Sequence, residues 1–144
     1  MLAALTSALS GDCPSCFGST GEGGSCRISV FCNNSRLHSS FVSGSGSREM
    51  HGMEHFMERN VVMVSFNYRL GVLGGLYLDR EVVTGNQGMW DQVMALTWVR
   101  DNIKHFGGDQ DRVTIFGESA GGMSVLNLVL SPVCKVRDGQ FNVV

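Results

Sequence analysis

The 144-residue chain has no stripe or run of Lys and Arg and no long apolar stretch. Its net charge of -2 comes from scattered residues, so the basic footprint that nucleic acid requires is missing. No apolar run approaches the roughly 18 residues of a membrane helix. Four of the five cysteines crowd together, at Cys13, Cys16, Cys26 and Cys32, and Cys13-Pro-Ser-Cys16 has a CxxC spacing. Neither a second tight pair nor a βαβ setting accompanies it, and zinc or redox chemistry needs one of the two. Nucleic-acid partners, a transmembrane segment, a metal and a cofactor are therefore not expected. What is present, 43% hydrophobic and 17% charged residues, reads as one globular domain.

The texture of the chain is uneven. "MLAALTSAL" resembles the apolar core of a signal peptide but is short and lacks the basic start. Residues 1–40 are rich in Ser, Gly and Asn without periodicity, which predicts disorder or extraneous sequence, with no strand pattern. "FVSGSGS" alone would be a flexible linker. Met50, Met53, Phe56 and Met57 then recur at helical spacing. "VVMVSFNY" (Val61 to Tyr68) is apolar on both faces, as in a central strand of a covered, largely parallel sheet. "RLGVLGG" is a turn-rich exit.

The longest helix signal follows, in "GNQGMWDQVMALTWVRDNIKHFGGD". Met89, Val93, Leu96 and Ile103 keep a core-facing rhythm, with Trp90, Met94 and Trp98 widening the stripe, and Gly107-Gly108 ends it. These methionines and tryptophans read as core, not as a ligand box. "VTIF" (Val113 to Phe116) is β-branched and aromatic, and "GGMSVLNLVL" places Met123, Leu126, Val129 and Leu130 at helical spacing. Strand, helix and strand make one crossover unit of an α/β sheet.

Between the last strand and helix sits Ser119, with Gly117 two residues before it and Gly121 and Gly122 just after. Small neighbours suit a side chain held at the apex of a sharp turn. G-x-S-x-G alone is weak evidence: with 19 glycines and abundant serine it would arise in roughly a quarter of shuffled chains. Its setting strengthens it, because strand, glycine-lined turn and helix is the order that a nucleophile elbow requires.

"VVMVSFNYRLGVLGGL", "GNQGMWDQVMALTWVRDNIKHFGGDQDRVTIFGESAGGMSVLNLVLSP" and the preceding "FVSGSGS" resemble the type B carboxylesterase and cholinesterase family, of α/β-hydrolase fold. The resemblance runs from about Phe41 to Lys135. It divides the chain into an unassigned 1–40, a core fragment at 41–135 and an unassigned tail at 136–144. It implies a small ester substrate, and Ser119 as the nucleophile that attacks the ester carbonyl and forms an acyl-enzyme. It also implies the Ala120 N–H as an oxyanion donor and Glu118 as an acid beside the serine that is distinct from the triad acid. An extracellular or secretory setting is compatible with the family; localisation is left open.

Three departures from the pattern stand out. The family's glycine-rich oxyanion loop precedes the position of Phe41, but this chain has "RLHSSF", with Ser39 and Ser40 in place of glycines; Phe41 and Gly44 match the loop's exit. Gly75 stands where the family usually has phenylalanine, which leaves a space in the packing. Only 25 residues follow Ser119; they include Asp138 but no histidine, whereas in this fold the acid and histidine both come after the serine. The expectation is an internal piece of a longer esterase, flanked by unrelated sequence and inactive alone. A non-catalytic adhesion or binding protein of the same superfamily is the alternative.

Overall fold

A computed structural model describes residues 26–31, 41–42, 61–134 and 142–143, the first and last of these as backbone strands. Four parallel strands form one sheet in the order β2-β1-β5-β6: β1 (Cys26–Phe31), β2 (Val61–Ser65), β5 (Gly108–Phe116) and β6 (Asn142–Val143). A two-stranded antiparallel hairpin, β3 (Tyr77–Asp79) and β4 (Val83–Thr84), lies apart from it. The helices are α1 (Gly71–Gly75), α2 (Gln87–Asn102) and α3 (Ala120–Leu130). The expected linker and helix between Ser43 and Arg59 lie outside the described residues.

The strand β1 corrects the expectation for residues 1–40. It occupies the middle of the sheet, with Ile28 opposite both Val62 and Val113. In "CRISVF" the β-branched Ile28 and Val30 favour a strand. Arg27 and Ser29 break the continuous apolar run by which a covered central strand is read. Strands β2 and β5 are thus joined by a crossover that passes over β1 and are not neighbours.

Two boundaries also move. β2 ends at Ser65 and not at Tyr68, because its ladder with β1 ends at the pair Phe31 and Ser65. Phe66 and Tyr68 stay buried beyond it, their rings tilted with centroids 6.4 Å apart. β5 starts at Gly108, five residues early, but its register with β1 is irregular until Val113. The backbone of β6 pairs with Thr114 and Ile115, so the tail beyond Lys135 adds a short strand to the sheet.

The core forms where Val64, Val113 and Ile115 of the sheet meet α2 and α3. Helix α2 is where the sequence places it. It ends in a 3-10 turn (Ile103–Phe106) closed by Gly107, whose φ of 77° is the left-handed conformation a helix stop favours. Its buried face is Gly88, Gln92, Ala95, Leu96, Val99 and Ile103. Leu96 and Ile103 were expected there, whereas Trp90 and Met94 are exposed. Small residues decide this: Gly88 lies against the Arg69 carbonyl, where a Cβ would come within 2.4 Å of the oxygen.

Helix α3 is also correctly located, but its expected face is reversed. It buries Ala120, Gly121, Ser124, Val125 and Leu128 and leaves Met123, Leu126, Val129 and Leu130 exposed. A helix that is apolar nearly all round offers no periodic signal as to which side is covered. Here the small residues Ala120, Gly121 and Ser124 face inward, and Gln92 of α2 donates from Nε2 to Ser124 Oγ at 3.1 Å.

Candidate active site

The path of the chain at Ser119 is set by the elements on each side. β5 ends at Phe116, α3 starts at Ala120, and the turn between them is three residues long. Close approach is built in, because a Cβ at Gly122 would lie 3.2 Å from the Gly117 carbonyl oxygen. The Gly121 N–H donates to the Glu118 carbonyl at 2.9 Å and the Met123 N–H to the Ser119 carbonyl at 3.1 Å.

Ser119 has φ 55° and ψ -117°. Positive φ is uncommon outside glycine, and this ψ lies away from the left-handed helical basin, so the residue carries backbone strain of order 1–3 kcal/mol. An ordinary N-cap serine has extended dihedrals and accepts a hydrogen bond from the first helical turn. Ser119 occupies the N-cap position but makes no capping bond, and it is exposed. Its hydroxyl is therefore not consumed by the helix. Ala120, the first helical residue, is buried; its N–H belongs to the turn that lacks intrahelical acceptors and sits at the positive end of the dipole. Glu118 is exposed.

Other candidates are not brought to this turn. Ser39, Ser40, Gly44 and Asp138 lie outside the described residues, as do three of the four histidines. The remaining one, His105, lies in the 3-10 turn before β5, at the opposite end of the sheet from Ser119. Cys26 is level with Gly108 and Phe31 with Phe116; those five strand steps amount to roughly 16 Å. His105 thus cannot reach the Ser119 hydroxyl. Among the described residues no group of three His, Cys, Asp or Glu side chains could hold a metal ion. No helix there is long and apolar enough to cross a membrane.

A second feature adjoins the sheet. Arg69, just after β2, binds Asp91 of α2 through Nε at 2.7 Å, a terminal nitrogen at 2.7 Å and its backbone N–H at 3.0 Å. Burial pushes the Asp91 carboxyl up, but the hydrogen bonds from Arg69 outweigh it and hold the group below its ordinary value. Phe41 has a positive φ of 64°, and its carbonyl accepts from the Gly71 N–H at 2.7 Å. This corner lies beside an open pocket of about 290 Å³. Gln92 lines that pocket although periodicity does not single it out; the only signal is a glutamine on a face that is otherwise apolar.

A parallel sheet with crossover helices and a strained serine between strand and helix is an α/β architecture in which one sharp turn carries Ser119 from β5 into α3. The chain belongs to the carboxylesterase family, which matches residues 38–143. It is 50% identical over 95 residues to juvenile hormone esterase of Tribolium castaneum, covering 66% of this chain and 16% of that protein. It is 62% identical over 76 residues to human cocaine esterase, covering 53% of this chain and 14% of that protein. Its fold matches the crystal structure of juvenile hormone esterase from Manduca sexta with a TM-score of 0.73 and 38% identity. That match covers 81% of this chain and 21% of the other. The chain thus corresponds to part of an esterase α/β-hydrolase fold, with an incomplete sheet. The family match also takes in residues 38–40 and the tail to 143, beyond the span read from the sequence.

Proposed function

We propose that this chain is the nucleophile-bearing part of a serine carboxylic ester hydrolase, with 41–135 as its core and β1 and β6 completing the local sheet. The observation that carries this reading is the backbone of the exposed residue Ser119, strained at φ 55° and ψ -117°, with no side-chain capping bond to the helix it starts. In this reading Ser119 Oγ attacks the carbonyl carbon of an ester. The Ala120 N–H donates to the oxygen that becomes negative, a contribution typically worth about 3 kcal/mol to the transition state. The alcohol departs, an acyl-serine remains, and water releases the acid. Glu118 sits beside the serine and shapes the local field without orienting a base. Gly117, Gly121 and Gly122 keep the turn tight.

A base must take the serine proton, because a free hydroxyl is a poor nucleophile near neutral pH. His105 is at the wrong end of β5, so the base and its acid partner have to come from elsewhere. The isolated chain is expected to show no burst with 4-nitrophenyl acetate and no stoichiometric organophosphate labelling. A longer chain that contains this segment with a downstream acid and histidine is expected to show both and to lose both on Ser119→Ala. Labelling of that longer chain at a residue other than Ser119 would overturn the assignment. Absence of any labelling would favour the second reading, a non-catalytic binding protein of the same fold, which Ser39 and Ser40 in place of the loop glycines support.

A further inference from the structure

The pocket beside Phe41 lies between α1 and the first turns of α2, and neither Ser119 nor its neighbours line it. Three glycines shape it in different ways. A Cβ at Gly74 or Gly88 would come within 2.2 or 2.4 Å of the Arg69 carbonyl oxygen, so both hold backbone segments in contact. At Gly75 a Cβ would meet nothing within 4 Å. The backbone is therefore drawn together on one side of the pocket and leaves unfilled space on the other.

The lining is mixed, with Arg69, Asn86, Gln92 and Asn127 bringing polar groups to walls that are otherwise apolar or glycine. Phe41, Tyr68 and Met89 supply two rings and a thioether, surfaces that favour a flat aromatic partner. Of the polar groups Gln92 is 0% exposed: its Nε2 donates to Ser124 Oγ, while its Oε1 has no partner among the described residues. Turning the amide over would let Ser124 donate to Oε1 and leave Nε2 unpartnered, so one amide atom lacks a partner in either orientation. A hydroxyl both donates and accepts and satisfies either arrangement. At about 290 Å³ the space is roughly twice the 150 Å³ cavity in which a benzene ring is held. One ring fits with room to spare, and two fused rings fit closely.

We propose that this pocket binds a small neutral aromatic alcohol of the phenol or naphthol class, its ring against Phe41, Tyr68 and Met89 and its hydroxyl on the Gln92 amide. The site is separate from the Ser119 turn and does not depend on the hydrolase reading.

The test uses the full chain with 13C-labelled methionine methyl groups, titrated with phenol and, separately, with toluene, which has the same ring but no hydroxyl. The Met89 methyl resonance is expected to shift saturably, while those of the exposed Met94 and Met123 stay still. Phenol should bind about fivefold to tenfold more tightly than toluene, the difference that one net hydrogen bond makes. Gln92→Met should remove that preference and keep toluene binding. Gly75→Phe, which meets no backbone obstacle, should abolish binding of both. A Met89 methyl unmoved by either compound overturns the proposal. So does phenol binding no better than toluene, or binding that survives Gly75→Phe.

Discussion

The two long helices solve the same problem differently. Helix α2 carries polar residues, buries a defined face and is tied down at its start by the Arg69–Asp91 pair. Helix α3 is apolar nearly all round, and Met123, Leu126, Val129 and Leu130 are left facing solvent while only Val125 and Leu128 of its large apolar side chains are covered: Leu128 is 1% exposed and Leu126 59%. Close approach to the sheet, not apolar character, decides which residues are inside. The exposed side of α3 is a surface suited to being covered, and it sits on the element that starts at Ser119.

The comparison breaks most clearly through core truncation. Ile103→Ala in the turn after α2 and Leu128→Ala in α3 should each cost about 2–5 kcal/mol in urea unfolding. Leu126→Ala should stay within about 0.5 kcal/mol. Equal costs for Leu126 and Leu128 would mean that both faces of α3 are covered.

Next in size is the glycine contrast. Gly88→Ala forces a Cβ against the Arg69 carbonyl and should lose about 1–3 kcal/mol, as overpacking does. Gly75→Ala meets open space and should change the thermal midpoint little. A large loss at Gly75 would show that the pocket beside it is not free.

A smaller effect is expected on association. The pair Leu126→Lys and Leu130→Lys should reduce self-association in sedimentation velocity, with folding stability altered by only about 0.5 kcal/mol. Unchanged association would show that the apolar side of α3 is not what drives contact between copies.

The smallest effect concerns pH. The Asp91 carboxyl is held below its ordinary value when folded, so the folded state binds its proton less readily than the unfolded chain. Its stabilisation is present above the unfolded pKa of about 4 and is lost as pH falls through the lower folded value. Asp91→Asn should flatten that acid limb of the stability profile and leave the profile above neutrality unaltered. An unchanged acid limb would show that the Arg69 pair adds nothing to folding.

Much of this was legible because local chemistry made it so. "VTIF", Gly117, Gly121 and Gly122 specify a strand, a tight turn and a helix in that order, and the backbone follows it at Ser119. The positions of α2 and its glycine stop were equally plain, since Gly107 takes the positive φ that ends a helix. Outward placement of Met123, Leu126, Val129 and Leu130 was not legible, because a helix apolar on all sides has no preferred side until something packs on it. Nor was β1: Arg27 and Ser29 hide a central strand whose place is set by ladders to β2 and β5, distant in sequence. Residue types and spacing thus determined α2, α3, the strand before Ser119 and the turn that holds it, through backbone sterics and periodicity. Only tertiary structure decided the strand order, the buried face of each helix, the unpartnered Gln92 amide and the separation of His105 from Ser119. Each of these depends on which surfaces meet across long stretches of chain, and no local pattern encodes that.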